Sequence, residues 1–249
     1  MINHLKYLSV FIENTPLSIS TYEYAVNLAH YCSLPLEVYL AKGLNSVGLK
    51  QGVEISSKIK FHNTSVTGFI GIFEELPKEN NYILLVGLYY SKEKNQSFNK
   101  LKKEIEKFEI PLLIIKKELE FISFKEVVVC SDFEEMKDDN SFYMLRDLIL
   151  PFKPEVKILH VKPDHEASTE EHVFEAEKEI NYFQPYFESK LRTLFSSDIV
   201  RAIRHYVHDR EDINLVALSK HRHGKLHDFF ITNHTHGIIE NIDRPILIM

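Results

Sequence analysis

A polar loop near the end of the chain gathers side chains that suit phosphate chemistry. It follows the apolar run 214–219 (NLVALS), which has the length and composition of a buried strand. Arginine can bind phosphate through two parallel hydrogen bonds, and hydroxyl or amide side chains cap helix N-termini. The candidate ligand-binding residues of this loop are Ser219, Arg222, Lys225, Asn233 and Thr235. Because doubly wound folds bind ligands in the loops that follow their strands, we predict a ligand site here.

The same loop is rich in histidine, which raises the alternative of a metal site, since imidazole is a common metal ligand. The histidines are His221, His223, His227, His234 and His236, with Asp228 among them. No two of them stand at a known ligand spacing such as HExxH, so solvated loop histidines are favoured and no metal is predicted. His205 and His208 lie three apart on a predicted helix, and there too a solvated helix face is favoured.

No catalytic residue is predicted. Ser219 and His221 suggest a nucleophile and a base, but the G-x-S-x-G nucleophile elbow is missing around them. The chain has no P-loop, no GxGxxG, no CxxC and no paired-carboxylate motif. Cys32 and Cys130 lie far apart in apolar patterns, which favours buried free thiols in a reducing compartment. We therefore expect a protein that is not an enzyme.

The elements that position this loop occur twice along the chain. Apolar runs predict strands at 7–13, 36–42, 58–62, 82–88 and from Pro111, and again at 125–132, 156–161, 191–195, 215–219 and from Pro245. Helical spacing predicts helices at 19–31, 65–75 and 98–108, and again at 139–150, 168–182, 198–209 and 236–242. Asp198 is a predicted N-cap, and Ser168 with Glu171 a predicted capping box.

Near-continuous apolar strands that alternate with helices predict parallel sheets covered on both faces. The predicted fold class is therefore α/β, with two tandem doubly wound, Rossmann-like domains at 1–120 and 123–249.

Charge and length narrow the classes of partner. The chain has 249 residues and a net charge of −6, which argues against nucleic acid because phosphate backbones need a basic face. Residues 1–122 carry 14 Lys, no Arg and 13 Glu, a net of +1, and the rest carries 16 basic and 23 acidic residues, a net of −7. No apolar run approaches the roughly 20 residues of a membrane span. The N-terminus lacks the pattern of a signal peptide, so we predict a cytoplasmic protein.

The pattern resembles the universal stress protein family in its tandem, two-domain form, over nearly the whole chain. ATP-binding members have a loop written G-x-x-G-(nine residues)-G-[ST]. Here the three glycine positions fall on Ser219, Arg222 and Thr232, and the hydroxyl position on Asn233. Thr235 matches a position that is commonly Thr in the family, and the acid that helps hold the nucleoside falls on Asp132. The resemblance thus implies a degenerate ATP site, in which a Cβ stands at each glycine position.

The first copy departs from the family in the same way. Its acid position falls on Glu13, and its loop, 88–100, has no glycine, while Gly87 belongs to the strand end. The second loop is similar to that of glycine-poor tandem members of the family. In this family the last strand commonly pairs with its counterpart in another domain. That implies an internal pseudo-dimer through Pro111–Lys117 and Pro245–Met249, with a homodimer left open.

The resemblance implies a stress-associated, non-enzymatic regulatory protein that binds a small molecule or a protein and lacks tight ATP binding. One alternative is a nucleotide-binding sensor that uses Asp132, Arg222, Lys225 and Thr235. Another is a nucleotide hydrolase of the same superfold, although no nucleophile or general base is visible for it.

Overall fold

Parallel strands buried on both faces form the core of the computed structural model of this chain. The structure describes residues 4–46, 49, 58–79, 81–88, 110–131, 140–162, 170–218 and 235–249, with the backbone alone at 70, 170–176, 235 and 236. The described chain divides into two compact units, Met1–Ile122 with Tyr143–Pro151, and Ser123–Phe142 with Phe152–Met249. The predicted domain limits, 1–120 and 123–249, stay a prediction.

The first unit alternates strands and helices around a central strand. Its strands are β1 (Tyr7–Ile12), β2 (Leu36–Leu40), β3 (Ile59–Asn63), β4 (Tyr82–Gly87) and β5 (Leu112–Ile115), and its described helices include α1 (Pro16–Cys32) and α2 (Phe69–Ile72). The strands run in the order β3-β2-β1-β4-β5, and all described pairs in this order are parallel.

The second half of the sequence repeats this plan. Its strands are β6 (Glu126–Cys130), β7 (Glu155–Lys162), β8 (Ser189–Phe195), β9 (Ile213–Leu218) and β10 (Ile246–Ile248), and its described helices are α3 (Asn140–Ile149), α4 (Glu170–Phe183), α5 (Ile199–His208) and α6 (Thr235–Asn241). The strands run in the order β10-β9-β6-β7-β8, again with parallel pairs. This arrangement confirms the predicted α/β class and the parallel, doubly wound strand order.

The segment Tyr143–Pro151 packs within the first unit through backbone and ring contacts. Asp147 Oδ2 accepts hydrogen bonds from the N–H groups of His4 (2.6 Å) and Leu5 (3.2 Å). The His4 ring stacks on Tyr143 with 4.4 Å between centroids. The Arg146 guanidinium lies 2.7 Å from Asp147 Oδ1, so the carboxylate is bound on both oxygens.

Helix α1 shows why these elements begin and end where they do. The Thr15 hydroxyl accepts a hydrogen bond from Ser18 N–H at 3.1 Å, and Pro16 occupies the first turn, where no donor is lost. The helix ends at Ser33, which takes a left-handed conformation (φ 55°) and donates its N–H to the His30 carbonyl at 3.0 Å.

A side-chain oxygen also caps the N-terminus of α5, as the sequence predicts. Asp198 Oδ1 accepts from Arg201 N–H at 2.9 Å at the start of α5, which confirms that cap.

One predicted helix is much shorter in the structure. The spacing at 65–75 predicts an eleven-residue helix, whereas α2 spans only Phe69–Ile72. Gly68 sits at its N-cap with an extended backbone, and Gly71 lies inside the segment, so two glycines weaken a longer helix. Upstream, the Ser65 N–H donates to Glu75 Oε1 at 3.0 Å, which fixes the flanks as a loop. The predicted helix at 98–108 and the capping residue Ser168 lie outside the described residues.

A close approach between α1 and β4 requires a glycine. A Cβ on Gly87 would lie 2.6 Å from Thr21 Oγ1, 3.1 Å from Leu17 Cγ and 3.2 Å from the Leu17 carbonyl oxygen. Thr21 cannot turn away freely, because its hydroxyl donates to that same carbonyl at 2.7 Å. Both helix residues are fully buried. The missing side chain at Gly87 therefore lets α1 lie against the strand end.

Replacing this glycine should overpack the contact between helix and strand. We expect Gly87→Ala to lower the free energy of unfolding by about 1–3 kcal/mol, the usual cost of inserting a methyl group into a packed core. Urea unfolding followed by circular dichroism measures this. Gly68→Ala is the matched control, since its Cβ would meet Glu13 Oε1 at an ordinary 3.6 Å. Equal, small losses in both variants would show that α1 tolerates the methyl group.

Candidate functional site

The crevice that doubly wound folds use for ligands lies where the strand order reverses. In the second half this point is between β6 and β9, because the chain goes from β6 to β7 and β8, and returns to β9 and β10. The two strands end side by side, with Cys130 paired to Leu218. Among the predicted site residues, Asp132, Ser219, Arg222, Lys225 and Asn233 lie outside the described residues, as do Thr232 and the loop histidines before Thr235. Thr235 is described by its backbone alone, as the first residue of α6.

A buried polar cluster stands at the end of β6, directly before the predicted acid. The Ser131 hydroxyl donates to Glu179 Oε1 of α4 at 2.5 Å. The Nδ1 atom of His160, on β7, lies 2.9 Å from the Ser131 carbonyl oxygen. All three residues are buried, and Glu179 is completely so. The cluster thus ties the end of β6 to the neighbouring strand and to the helix above it.

The geometry of this cluster differs from that of a nucleophilic triad. A triad needs the serine hydroxyl on an imidazole and the imidazole on a carboxylate. Here the hydroxyl of Ser131 meets the carboxylate of Glu179 directly, and the imidazole Nδ1–H donates to a backbone carbonyl. Because a carbonyl oxygen can only accept, Nδ1 of His160 carries a proton in this contact. The arrangement holds and orients the strand end, and it assigns no catalytic role to Ser131.

Sequence reasoning missed this cluster. Glu179 lies four residues before Phe183 and one before Ile180, so it interrupts the apolar face of a predicted helix. An acid on an apolar stripe signals a buried partner, because a lone buried carboxylate is costly. Its partner, Ser131, is 48 residues away, and spacing alone could not find it.

Replacing Ser131 should take one hydrogen bond away from a buried carboxylate. We expect Ser131→Ala to lower the free energy of unfolding by about 1–3 kcal/mol, since Glu179 Oε1 loses its hydrogen bond. Chemical denaturation measures the loss. Ser189→Ala is the control, because that hydroxyl donates only weakly, at 3.4 Å, to the Phe187 carbonyl. Unchanged stability in Ser131→Ala would mean that the hydroxyl contributes little to holding the strand end.

In the first unit, the acid that corresponds to Asp132 is Glu13, and it forms hydrogen bonds within the protein. Glu13 follows β1 as Asp132 follows β6, and its Oε1 accepts from the N–H of Phe69 at 2.8 Å, at the start of α2. The backbone N–H of Glu13 donates to Ser18 Oγ at 3.2 Å. The carboxylate is therefore engaged by the backbone at the place where the resemblance puts a nucleoside contact.

Strand register also identifies the first-copy counterpart of Ser219. Val86 pairs with Phe11, two residues before Glu13, and Leu218 pairs with Cys130, two residues before Asp132. The residues that follow, Gly87 and Ser219, are therefore equivalent. Gly87 thus stands at the strand-end position that corresponds to Ser219, and helix α1 fills the space beside it.

The Glu13 contact predicts a local loss of order in α2 when the acceptor is removed. We expect Glu13→Ala to cost about 1 kcal/mol, as for other helix N-caps, and to speed hydrogen exchange at the Phe69 amide. Exchange followed by mass spectrometry or NMR measures it. Glu13→Gln keeps an acceptor oxygen and should show a smaller effect. Equal exchange in all three proteins would mean that α2 does not depend on Glu13.

Both cysteines are free and lack the character of reactive thiols. Burial raises the pKa of Cys32 to about 12, and burial raises the pKa of Cys130 to about 12 as well. Because the thiolate is the nucleophile, a thiol with such a pKa is inert near neutral pH. The Cys32 thiol donates instead to the Leu148 carbonyl, with 3.3 Å between sulfur and oxygen.

Metal ligands are not grouped in the part of the chain that the structure describes. No three histidine, cysteine or acidic residues among these residues could hold an ion together. His205 and His208 lie on α5, and His208 Nδ1 stands 3.5 Å from Asp209 Oδ1. The histidine-rich loop at 221–234 lies outside the described residues, so its metal alternative stays open.

Polar aromatic side chains form a separate cluster in the first unit. Tyr7 stacks on Tyr82 with ring centroids 5.0 Å apart, and Tyr39 stacks on His62 at 4.8 Å. The Tyr39 hydroxyl donates to Glu37 Oε2 at 3.1 Å. Burial, assisted by the Glu37 carboxylate, raises the pKa of Tyr7 to about 12, and burial also raises the pKa of Tyr39 and of Tyr82. These hydroxyls stay protonated at neutral pH, so the cluster supplies no phenolate base.

Comparison with known proteins shows what this fold is similar to. No protein-family model matches the chain, and no curated protein matches it. A universal stress protein from Archaeoglobus fulgidus aligns with a TM-score of 0.68 at 14% identity, over 98% of this chain and 96% of that chain. A protein of unknown function from Pseudomonas aeruginosa PAO1 aligns with a TM-score of 0.65 at 11% identity, over 98% and 92%. The cytoplasmic domain of a prokaryotic cation chloride cotransporter aligns with a TM-score of 0.61 at 10% identity, over 98% and 95%.

These similarities establish the fold. The function has to be inferred from the individual sites. The chain has the α/β fold that is seen in a universal stress protein, over almost its entire length. The same fold also serves as a domain of a transporter, so it does not define one activity. Within the described residues, no helix is long and apolar enough to cross a membrane.

Proposed function

We propose that this chain is a stress-associated, non-enzymatic regulatory protein that binds a small molecule or a protein and lacks tight ATP binding. Its likeness to a universal stress protein supports the association with stress. The absence of a catalytic motif in the sequence supports a binding role.

The observation that carries the proposal is that the protein's own groups occupy the crevice of the first unit. At the reversal point between β1 and β4, the Glu13 carboxylate is held by the N–H of Phe69. On the adjoining strand, α1 lies so close that no Cβ fits at Gly87. A nucleotide would have to displace a backbone hydrogen bond and compete with a packed helix.

In the second copy, side chains at the glycine positions of the family loop disfavour ATP binding. Ser219, Arg222 and Thr232 stand where the family has glycines, and each Cβ restricts the positive φ that a phosphate loop needs. At the end of β6, the Ser131 hydroxyl is already donated to Glu179. This copy retains Asp132, and a sensor that binds a nucleotide weakly remains the second candidate.

Thermal unfolding with ATP tests the proposal. A ligand present at 100 times its dissociation constant stabilises the folded state by about 2.7 kcal/mol, which shifts the melting temperature by several degrees. We expect no shift with low-millimolar ATP, with or without magnesium, because the glycine loop is missing. Differential scanning fluorimetry on the whole chain measures this.

Control variants separate the competing functions. Ser219→Gly combined with Arg222→Gly and Thr232→Gly restores the three glycines of the family loop and should introduce a shift with ATP. A shift in the unmodified protein that Asp132→Ala removes would replace our proposal with the nucleotide sensor. Release of ADP or AMP above that of a heat-killed sample would favour the hydrolase.

A further inference from the structure

A pocket of about 540 Å³ lies between α5 and α6. Helix α5 lines it with Arg201, Arg204, His205 and His208, and α6 contributes Asn241. The volume falls within the range of small-molecule sites. None of these residues belongs to the nucleotide site that the resemblance implies.

The pocket results from the way the two helices pack. Ile203 and Tyr206, among others, turn one face of α5 into the core, so the opposite stripe faces outward. A Cβ on Gly237 would lie 2.9 Å from Val200 Cγ2, and its absence lets α6 approach the beginning of α5. The Asn241 amide donates to the Gly237 carbonyl at 2.7 Å, which holds this side chain at the wall of the pocket. The described walls of the pocket are therefore helical.

The pocket carries basic side chains, although the second half of the sequence is acidic as a whole. Residues from 123 onward carry a net charge of −7, yet the α5 stripe combines two guanidinium groups and two imidazoles. Among the described carboxylates, none lies within ion-pair distance of Arg201 or Arg204. The Asp198 carboxylate also lines the pocket, and it accepts a hydrogen bond from the helix N–H of Arg201. The Asp209 carboxylate lies beside His208.

The spacing of these α5 side chains suits one small oxyanion. Residues 201, 204, 205 and 208 are three or four apart, so their side chains project from a single face of α5. Guanidinium groups bind phosphate through paired hydrogen bonds, which an ammonium group cannot make. Asn241 retains an amide oxygen and a second N–H that can contact the rest of a ligand.

We propose that the α5–α6 pocket binds a phosphorylated small molecule, with Arg201 and Arg204 on its phosphate groups and Asn241 on its uncharged part. This site is independent of the crevice between β6 and β9, and it does not need that crevice to bind ATP.

Inorganic pyrophosphate is the probe for the phosphate part, in calorimetric titration of the whole chain at low ionic strength. We expect binding by the unmodified protein and a loss of about tenfold or more in affinity in Arg201→Gln/Arg204→Gln, because both bidentate contacts are removed. Arg201→Lys/Arg204→Lys keeps the charge without the planar fork and should fall between the two. Matching melting temperatures establish that the variants are folded, as expected for exposed side chains.

Two controls locate the binding. Lys125→Gln/Arg192→Gln removes the same charge from exposed positions of the same half and should keep the affinity within about twofold, since such charges act only weakly. Arg222→Gln/Lys225→Gln alters the predicted loop and should also keep it. Equal losses in the first control would assign the binding to diffuse charge, and a loss confined to the second would move it to the loop.

Either of those results overturns the proposal, as does an absence of pyrophosphate binding at millimolar concentration. A melting shift with ATP that the Asp132→Ala variant removes would overturn the proposed function but not this site, so the two failures are distinguishable.

Discussion

Burial of parallel strands on both faces is the constraint on which the rest of this structure depends. The strands β1 and β6 each lie between two parallel neighbours, and their side chains are almost all buried. Such strands need a helix on each face, and the connections between them must cross over those faces. The close contact of α1 with Gly87 follows from this need, because the helix has to shield the strand end from water.

The same constraint concentrates unpaired polar groups at the strand ends. Beyond the last paired residue, backbone and side-chain groups need partners other than a ladder. The first unit meets this need with the Glu13 carboxylate on the N–H of Phe69, and the second with the Ser131 hydroxyl on Glu179. Both of these hydrogen bonds lie at the strand ends where doubly wound folds place a ligand. A reversal point can thus be occupied by internal hydrogen bonds, and the position of a crevice does not establish a ligand.

Sequence patterns predicted caps and elements that depend on residues close together in the chain. They did not predict contacts between residues that are far apart in sequence. Asp198 was identifiable as a cap because its bond reaches only to Arg201. The helix over 65–75 was predicted too long, since apolar spacing outweighed Gly68 and Gly71 in the pattern. The role of Glu179 could not be predicted, because its partner comes from a strand 48 residues earlier. Each strand that the structure describes overlaps a predicted one, whereas most of the predicted site residues lie outside the described part of the chain.

Fold and ligand depend on different residues, which is why likeness of fold carries so little information about binding here. The strand order is held by apolar side chains such as those of Val127, Val128 and Val129, and none of them would contact a phosphate. The glycines of a phosphate loop act only by leaving room beside the backbone, so a chain can lose them and keep every strand. Gly87 shows another use of a glycine, since its missing Cβ makes room for a helix at a strand end. Ligand chemistry must therefore be inferred from polar side chains that the protein does not use internally. In the described part of this chain, the guanidinium groups of Arg201 and Arg204 meet that condition, and they lie on a helix face rather than at the strand ends.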